Sequence, residues 1–202
     1  DIKNILREPS KIWDGGFAIC GIVGSGDMFV LRDANGIRPA FYYSDDEIVI
    51  VASERPVIQT TANVGIEDVK ELTPGSALIV NRKGDLEIAD ILGEKENKKC
   101  SFERIYFSRG SDCDIYKERK RLGETLAPNI LKGINYDTNH TIFSFIPNTA
   151  EVAYIGMMEG LEKHLQAIKQ KQILSLNPSA SDYPEKLKTI LAEKIRCEKI
   201  AI

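Results

Sequence analysis

The hydrophobic spacing of this chain changes period once, near residue 100, and that change restricts the fold more than any single motif. From residue 16 to residue 92 the apolar residues come in short runs of strand length: GFAICGIVG, DMFVLRD, IRPAFYY, then EIVIVASE from Glu47 to Glu54, the most β-branched of them. The runs are cut by turn pairs. Asn35-Gly36 between DMFVLRD and IRPAFYY predicts one hairpin, and Lys83-Gly84 between SALIVNR and DLEIADIL predicts another. Beyond the polar connector GEKENKK at 93–99 the period lengthens. Ile115, Leu122, Leu126 and Ile130 recur at near-helical spacing with charges between them, predicting an amphipathic helix over 115–132. A long helix is expected from about Glu151 to about Ile173, and a shorter one over 185–196. FERIYFS, HTIFSFIP and CEKIAI read as strands. The fold class expected is mixed α/β, with a β-rich domain over 1–99 and an α/β domain over 100–202, in which 166–202 is expected to be an inserted segment.

With 202 residues, 43% of them hydrophobic, the chain can bury a core; 27 basic against 30 acidic residues give a net charge of −3, which offers no general field for a polyanion. Nucleic acid is not an expected partner, and any phosphate must be held by a local site. Cys20, Cys100, Cys113 and Cys197 are widely spaced, with no CxxC pair, so neither a disulfide framework nor a self-contained zinc site is expected. Reduced thiols fit a cytoplasmic setting. No stretch reaches the roughly 20 apolar residues that span a bilayer. A start at Asp rather than Met suggests a piece of a longer protein.

Two local patterns bear on chemistry. Pro147-Asn148-Thr149-Ala150 stands between an apolar strand and a helix start, where unpaired backbone N–H groups and the helix dipole favour a phosphate; the same residues can equally be a simple helix cap. Tyr106 and Arg109 alternate with Ile105 and Phe107 on the expected FERIYFS strand, which would turn them toward a common cleft, and a fixed guanidinium suits phosphate; an Arg at a strand end also suits a plain ion pair. Lys117 to Arg121, a run of charges, reads as the wet face of its helix.

The stretch Cys20-Gly-Ile-Val-Gly24 resembles the start of mature class II glutamine amidotransferases, in which the N-terminal cysteine is the attacking thiol. Such a nucleophile uses its own free amine as base, yet nineteen residues precede Cys20. The His-Arg-Gly, Arg-Tyr and Asn-Gly-Asn motifs with which that family binds glutamine and its oxyanion do not occur here. Cys20 is therefore expected to be a strand residue; the alternative is a propeptide-bearing amidohydrolase that uses it.

Five further stretches, R-D-A-N-G-I-R-P (Arg32 to Pro39), V-A-S-E (Val51 to Glu54), L-T-P-G-S-A (Leu72 to Ala77), F-E-R-I-Y-F-S-R (Phe102 to Arg109) and F-I-P-N-T-A (Phe145 to Ala150), resemble amidophosphoribosyltransferases in order and spacing. The resemblance implies the later part of an Ntn-hydrolase glutaminase sandwich joined to the start of a type I phosphoribosyltransferase domain, with the true nucleophile upstream. It implies a parent enzyme of purine biosynthesis that moves glutamine-derived ammonia onto phosphoribosyl pyrophosphate (PRPP), with Mg2+ accompanying PRPP, purine nucleotides as effectors and a homo-oligomeric full-length protein. Pro147, Asn148, Thr149 and Ala150 would then belong to the first phosphoribosyl-binding loop, and Tyr106 and Arg109 would lie near an interdomain nucleotide or ammonia path. Cys100 matches a position that ligates a 4Fe-4S cluster in some members. Arg38, Pro39, Ser53 and Glu54 are family words expected to fix turns and packing. The family usually has Glu or Asp where Asn148 stands and a hydroxyl where Ala150 stands, and Pro-Asp-Ser where Gly110-Ser111-Asp112 stands. These departures leave a second alternative, a catalytically impaired, nucleotide-sensing paralogue. The expected stretch lacks both complete active sites.

Overall fold

The computed structural model describes residues 2–200 and divides into two compact units, one running up to Asp112 and one from Cys113 onward. In the first unit, helix α1 (Ile2–Ser10) precedes strands β1 (Ala18–Ile22), β2 (Met28–Arg32), β3 (Phe41–Ser44) and β4 (Val49–Ala52); helix α2 (Arg55–Ala62) leads to β5 (Lys70–Glu71), β6 (Ser76–Val80) and β7 (Leu86–Asp90). The strands form two antiparallel sheets, β1-β2-β6-β7 and β4-β3-β5. Strand alternation sets the layers. Leu31 and Ile79 join Leu6 of α1, Ala77, Ala89 and Ile91 in one core, while Val30 and Leu78 on the opposite face meet Ala40, Tyr42 and Leu72 of the second sheet. With α2 covering β3 and β4 on the far side, the order of layers is helix, sheet, sheet, helix.

The β6–β7 hairpin across Lys83-Gly84 forms as expected, Ser76 facing Asp90 and Val80 facing Leu86. The hairpin expected across Asn35-Gly36 does not form: β2 pairs with β1 and β6, and the segment after it crosses into the other sheet. The reason lies in Arg32 and Asp33, each 1% exposed. The Asp33 carboxylate accepts from the backbone N–H groups of Asn35 (3.1 Å), Ile37 (2.9 Å) and Arg38 (3.0 Å) and from Phe17 at 3.3 Å. Arg32 donates to the carbonyl oxygens of Arg38, Leu72 and Gly36 and to the Glu71 carboxylate at 2.9 Å. A two-residue turn would leave these two buried charges without partners. Helices α1 and α2 fall in segments whose apolar residues the sequence alone does not mark as helical.

In the second unit the helices are α3 (Cys113–Gly133), α4 (Glu151–Ser175) and α5 (Tyr183–Ala192). The first exists where expected but turns a different face inward. Ile115, Arg119, Gly123, Ala127 and Leu131 are buried, whereas Leu122 and Leu126 are 41% and 50% exposed. Small residues decide this. A Cβ on Gly123 would lie 1.7 Å from the carbonyl oxygen of Ala153, and one on Gly156 would lie 1.8 Å from that of Lys120, so the α3 and α4 backbones touch where only glycine fits. Arg119, within the charge run expected to be wet, is accordingly buried at 5% exposure. Partners advance together along both helices, Lys120 with Glu159 and Glu124 with Lys163, so α3 and α4 run in the same direction. The segment between them must therefore return across the unit, as in an α/β layer. HTIFSFIP is not a full strand; it makes one parallel bridge, Phe143 with Cys197. Of CEKIAI, Ala201 and Ile202 lie outside the described residues. Lys169 donates to the carbonyl oxygens of Leu191 (3.0 Å) and Glu193, and Ile195 enters the core with Phe143, Leu161 and Leu165.

Candidate functional site

FERIYFS, expected as a strand, is a π-helical turn over Glu103–Phe107, closed by the Ser108 N–H on the Glu103 carbonyl at 2.8 Å. The alternation expected to aim Tyr106 and Arg109 into one cleft is therefore absent. Tyr106, 55% exposed, stacks on Phe102 (5.2 Å between ring centroids) and meets Phe107 edge-on (5.4 Å). Arg109 places Nε 2.8 Å from Glu54, which closes the V-A-S-E stretch before α2. Arg55 holds Asp112 through two bonds of 2.8 and 2.7 Å, and Arg38 pairs with the buried Glu103 at 2.7 Å while lying over the Phe107 ring. Arg38 and Glu54, family words with no separate chemistry in the sequence, thus join Arg55 in the ion pairs that bind 103–112 to the first unit. This explains why that unit extends to Asp112 instead of ending at the polar connector.

Cys20 sits in the middle of β1, opposite Val30, with Ile19 and Gly21 also paired. Its side chain is exposed and borders a cleft of about 1020 Å³ between the sheets, lined by the apolar Phe29, Val49, Val51 and Leu78 and by the charged Asp45, Glu47 and Lys83. Glu71 shows the electrostatics of the unit. Partial burial works to raise its carboxyl, but hydrogen bonds from Lys99 and Arg32 outweigh that and hold it below the usual value. Cys100 is a half-buried free thiol whose backbone N–H reaches the Ile37 carbonyl. Among the described residues no three His, Cys, Asp or Glu side chains gather as a metal requires. This chain's described residues therefore do not by themselves fit an iron-sulfur cluster, which takes about four thiolates.

Pro147 to Ala150 form the turn that delivers the chain into α4. The residue at the cap position is Ala150, in helical conformation, and no side chain caps the helix. Neither Asn148 nor Thr149 plays the capping part open to it from sequence, so the early N–H groups of α4 are not taken by a side-chain cap. The turn is closed by the Glu151 N–H on the Asn148 carbonyl at 3.2 Å, and the Pro147–Asn148 peptide is cis. Asn148 and Ala150 are exposed; Pro147 and Thr149 are half-buried. Sequence reasoning overlooked Tyr154, one turn into α4. Its hydroxyl donates to the Phe143 carbonyl at 3.2 Å and its ring lies 4.9 Å from that of Phe145. Burial, with Cys197 close by, pushes its phenol above the ordinary value. No helix among the described residues is long and apolar enough to cross a membrane.

A layered sandwich of this kind, closed by an ion-paired 103–112 segment, agrees with what comparison with known proteins finds. The family model for class-II glutamine amidotransferases matches residues 4–106, and the chain belongs to that family. Within it, the chain is similar to amidophosphoribosyltransferases: that of Saccharomyces cerevisiae is 24% identical over 230 residues, covering 96% of this chain and 44% of the relative. That of Bacillus subtilis is 28% identical, covering 85% and 35%. Among solved structures, one described as the allosteric regulatory enzyme of purine biosynthesis superposes with a TM-score of 0.65 at 24% identity, over 80% of this chain and 33% of that one. Glutamine PRPP amidotransferase from B. subtilis, complexed with ADP and GMP, gives 0.60 at 25%, over 80% and 34%. The chain spans less than half the length of these relatives.

Proposed function

We propose that this chain is the central part of an amidophosphoribosyltransferase, joining the end of a glutaminase domain to the beginning of a phosphoribosyltransferase domain. The full protein hydrolyses glutamine to glutamate, passes the ammonia onward and uses it to displace pyrophosphate from C1 of PRPP, giving 5-phosphoribosylamine. The observation that carries the reading within this chain is the turn at Pro147–Ala150, which leads from the single parallel bridge at Phe143 into a helix whose N-terminus has no side-chain cap. Backbone N–H groups there suit pyrophosphate oxygens, and the positive end of the helix dipole favours them. Magnesium, bound through the pyrophosphate, would neutralise the charge that grows on the leaving group. In this reading Cys20 is a strand residue, Tyr106 and Arg109 belong to the segment through which the chain leaves the glutaminase domain, and Cys100 ligates iron only if three thiolates come from elsewhere. Nucleotide effectors and homo-oligomerisation belong to the full-length protein in a cytoplasmic setting.

The test is calorimetric titration of the 202-residue chain with PRPP and magnesium, alongside a glutamine hydrolysis assay. Weak, magnesium-dependent binding is expected, with no glutamate release in either the natural chain or the Cys20→Ala variant. Replacing Asn148 by Glu and Ala150 by Ser together should tighten binding, because a carboxylate can meet the magnesium and a hydroxyl adds a donor. Glutamate release that disappears in Cys20→Ala would instead make this a Cys20-dependent amidohydrolase.

A further inference from the structure

The turn that leads into α4 is held from its two ends. Among the described residues, only two backbone hydrogen bonds touch residues 145–150: Glu151 N–H to Asn148, and Tyr154 N–H to Ala150 at 2.8 Å. The strand end is firm. Phe143 is 6% exposed, its N–H reaches the Arg196 carbonyl at 2.9 Å, and its own carbonyl accepts from Glu198 N–H at 3.1 Å. That carbonyl has a second lone pair, and the Tyr154 hydroxyl uses it. One side chain on the first turn of the helix is therefore bonded back to the bridge residue Phe143, next to which Ser144 accepts from the Ile200 N–H at 3.1 Å, with its ring against Phe145 inside the closed loop.

We propose that Tyr154 is the positioning residue of this turn: by bridging Phe143 and α4 it fixes the spacing between strand end and helix start, and so the direction in which the first N–H groups of α4 face an incoming pyrophosphate. The proposal rests on the anion-binding reading of Pro147–Ala150, but the bridge makes a claim about the free protein that can be measured without any ligand. A residue that serves only to fill the core would behave differently, since Phe in its place keeps the ring and its contact with Phe145 and removes only the hydroxyl. With the bridge lost, the anchored strand end stays where it is and the helix start alone gains freedom.

The experiment compares the natural chain with Tyr154→Phe by amide hydrogen exchange, and then by titration with magnesium pyrophosphate. In the variant, exchange at Glu151 and Tyr154 should speed up by roughly two- to tenfold, the range expected for one net hydrogen bond, while α3 and the second half of α4 stay unchanged. Pyrophosphate binding should weaken by about the same factor. Unchanged exchange at Glu151 and Tyr154 overturns the proposal, as does a uniform increase across α3 and α4, which would mean that the hydroxyl serves the whole unit. If the natural chain binds no pyrophosphate, the anion-binding reading fails, and the exchange data still decide whether Tyr154 sets the turn.

Discussion

The two units treat their most recognisable turns in opposite ways. In the first, the Arg32–Pro39 stretch is tied inward: Arg32 and Asp33, each 1% exposed, bond the turn's own backbone at Asn35, Gly36, Ile37 and Arg38 and reach Phe17, Glu71 and Leu72 outside it. In the second, the turn at Pro147–Ala150 is held only from its ends, and Asn148 and Ala150 face outward. A turn whose side chains are consumed by its own backbone has nothing left for a ligand. One whose helix N–H groups lack a side-chain partner does.

Removing a buried charge should break that contrast most visibly. Arg32→Ala leaves three carbonyls without their donor and Glu71 with Lys99 alone, and about 3–5 kcal/mol of first-unit stability should be lost. The single tryptophan, Trp13, lies in that unit, so denaturant unfolding followed by fluorescence reads the loss. Gly156→Ala should cost the second unit about 3 kcal/mol, because the added Cβ meets a backbone carbonyl that cannot step aside. Helical circular dichroism is the readout, and a silent variant would show that α3 and α4 do not meet at their backbones. Asp112→Asn should cost about 1.5 kcal/mol, with faster exchange over 103–112, by weakening the paired bonds from Arg55.

The pH dependence follows from Glu71. Its carboxyl is held below the usual value in the folded unit, so its contribution is complete above the unfolded carboxylate range, near pH 4.3, and fades as pH falls through the lower folded value. Acid unfolding of Glu71→Gln should lose that part of the slope. The smallest effect is expected at the open turn. Asn148→Ala should change stability by less than about 0.5 kcal/mol, and a larger loss would mean that this turn too is built for the fold.

Much of this was legible in the residues. The β6–β7 hairpin follows from Lys83-Gly84 between two alternating runs, and α4 from a long apolar period after a polar turn. Where the reading failed, the deciding contact was distant in sequence. Asn35-Gly36 resembles a hairpin turn until Asp33 and Arg32 reach Phe17 and Leu72. Leu122 and Leu126 look like the buried face of α3 until Gly123 meets α4. Phe102–Phe107 has strand-like composition, yet Arg38 pulls Glu103 inward and the segment coils. Tyr154 carried no signal, because an aromatic one turn into a helix reads as packing.

By itself the sequence determined the change from strand to helix, the family words in their order and the turn at Pro147–Ala150, because period, turn chemistry and local spacing are properties of neighbouring residues. Only the tertiary structure decided which sheet each strand joins, which face of α3 is buried and which charges hold 103–112. Those outcomes depend on partners far apart in the chain, such as Met28 with Val80, Gly123 with Ala153 and Arg38 with Glu103, whose nearness folding creates.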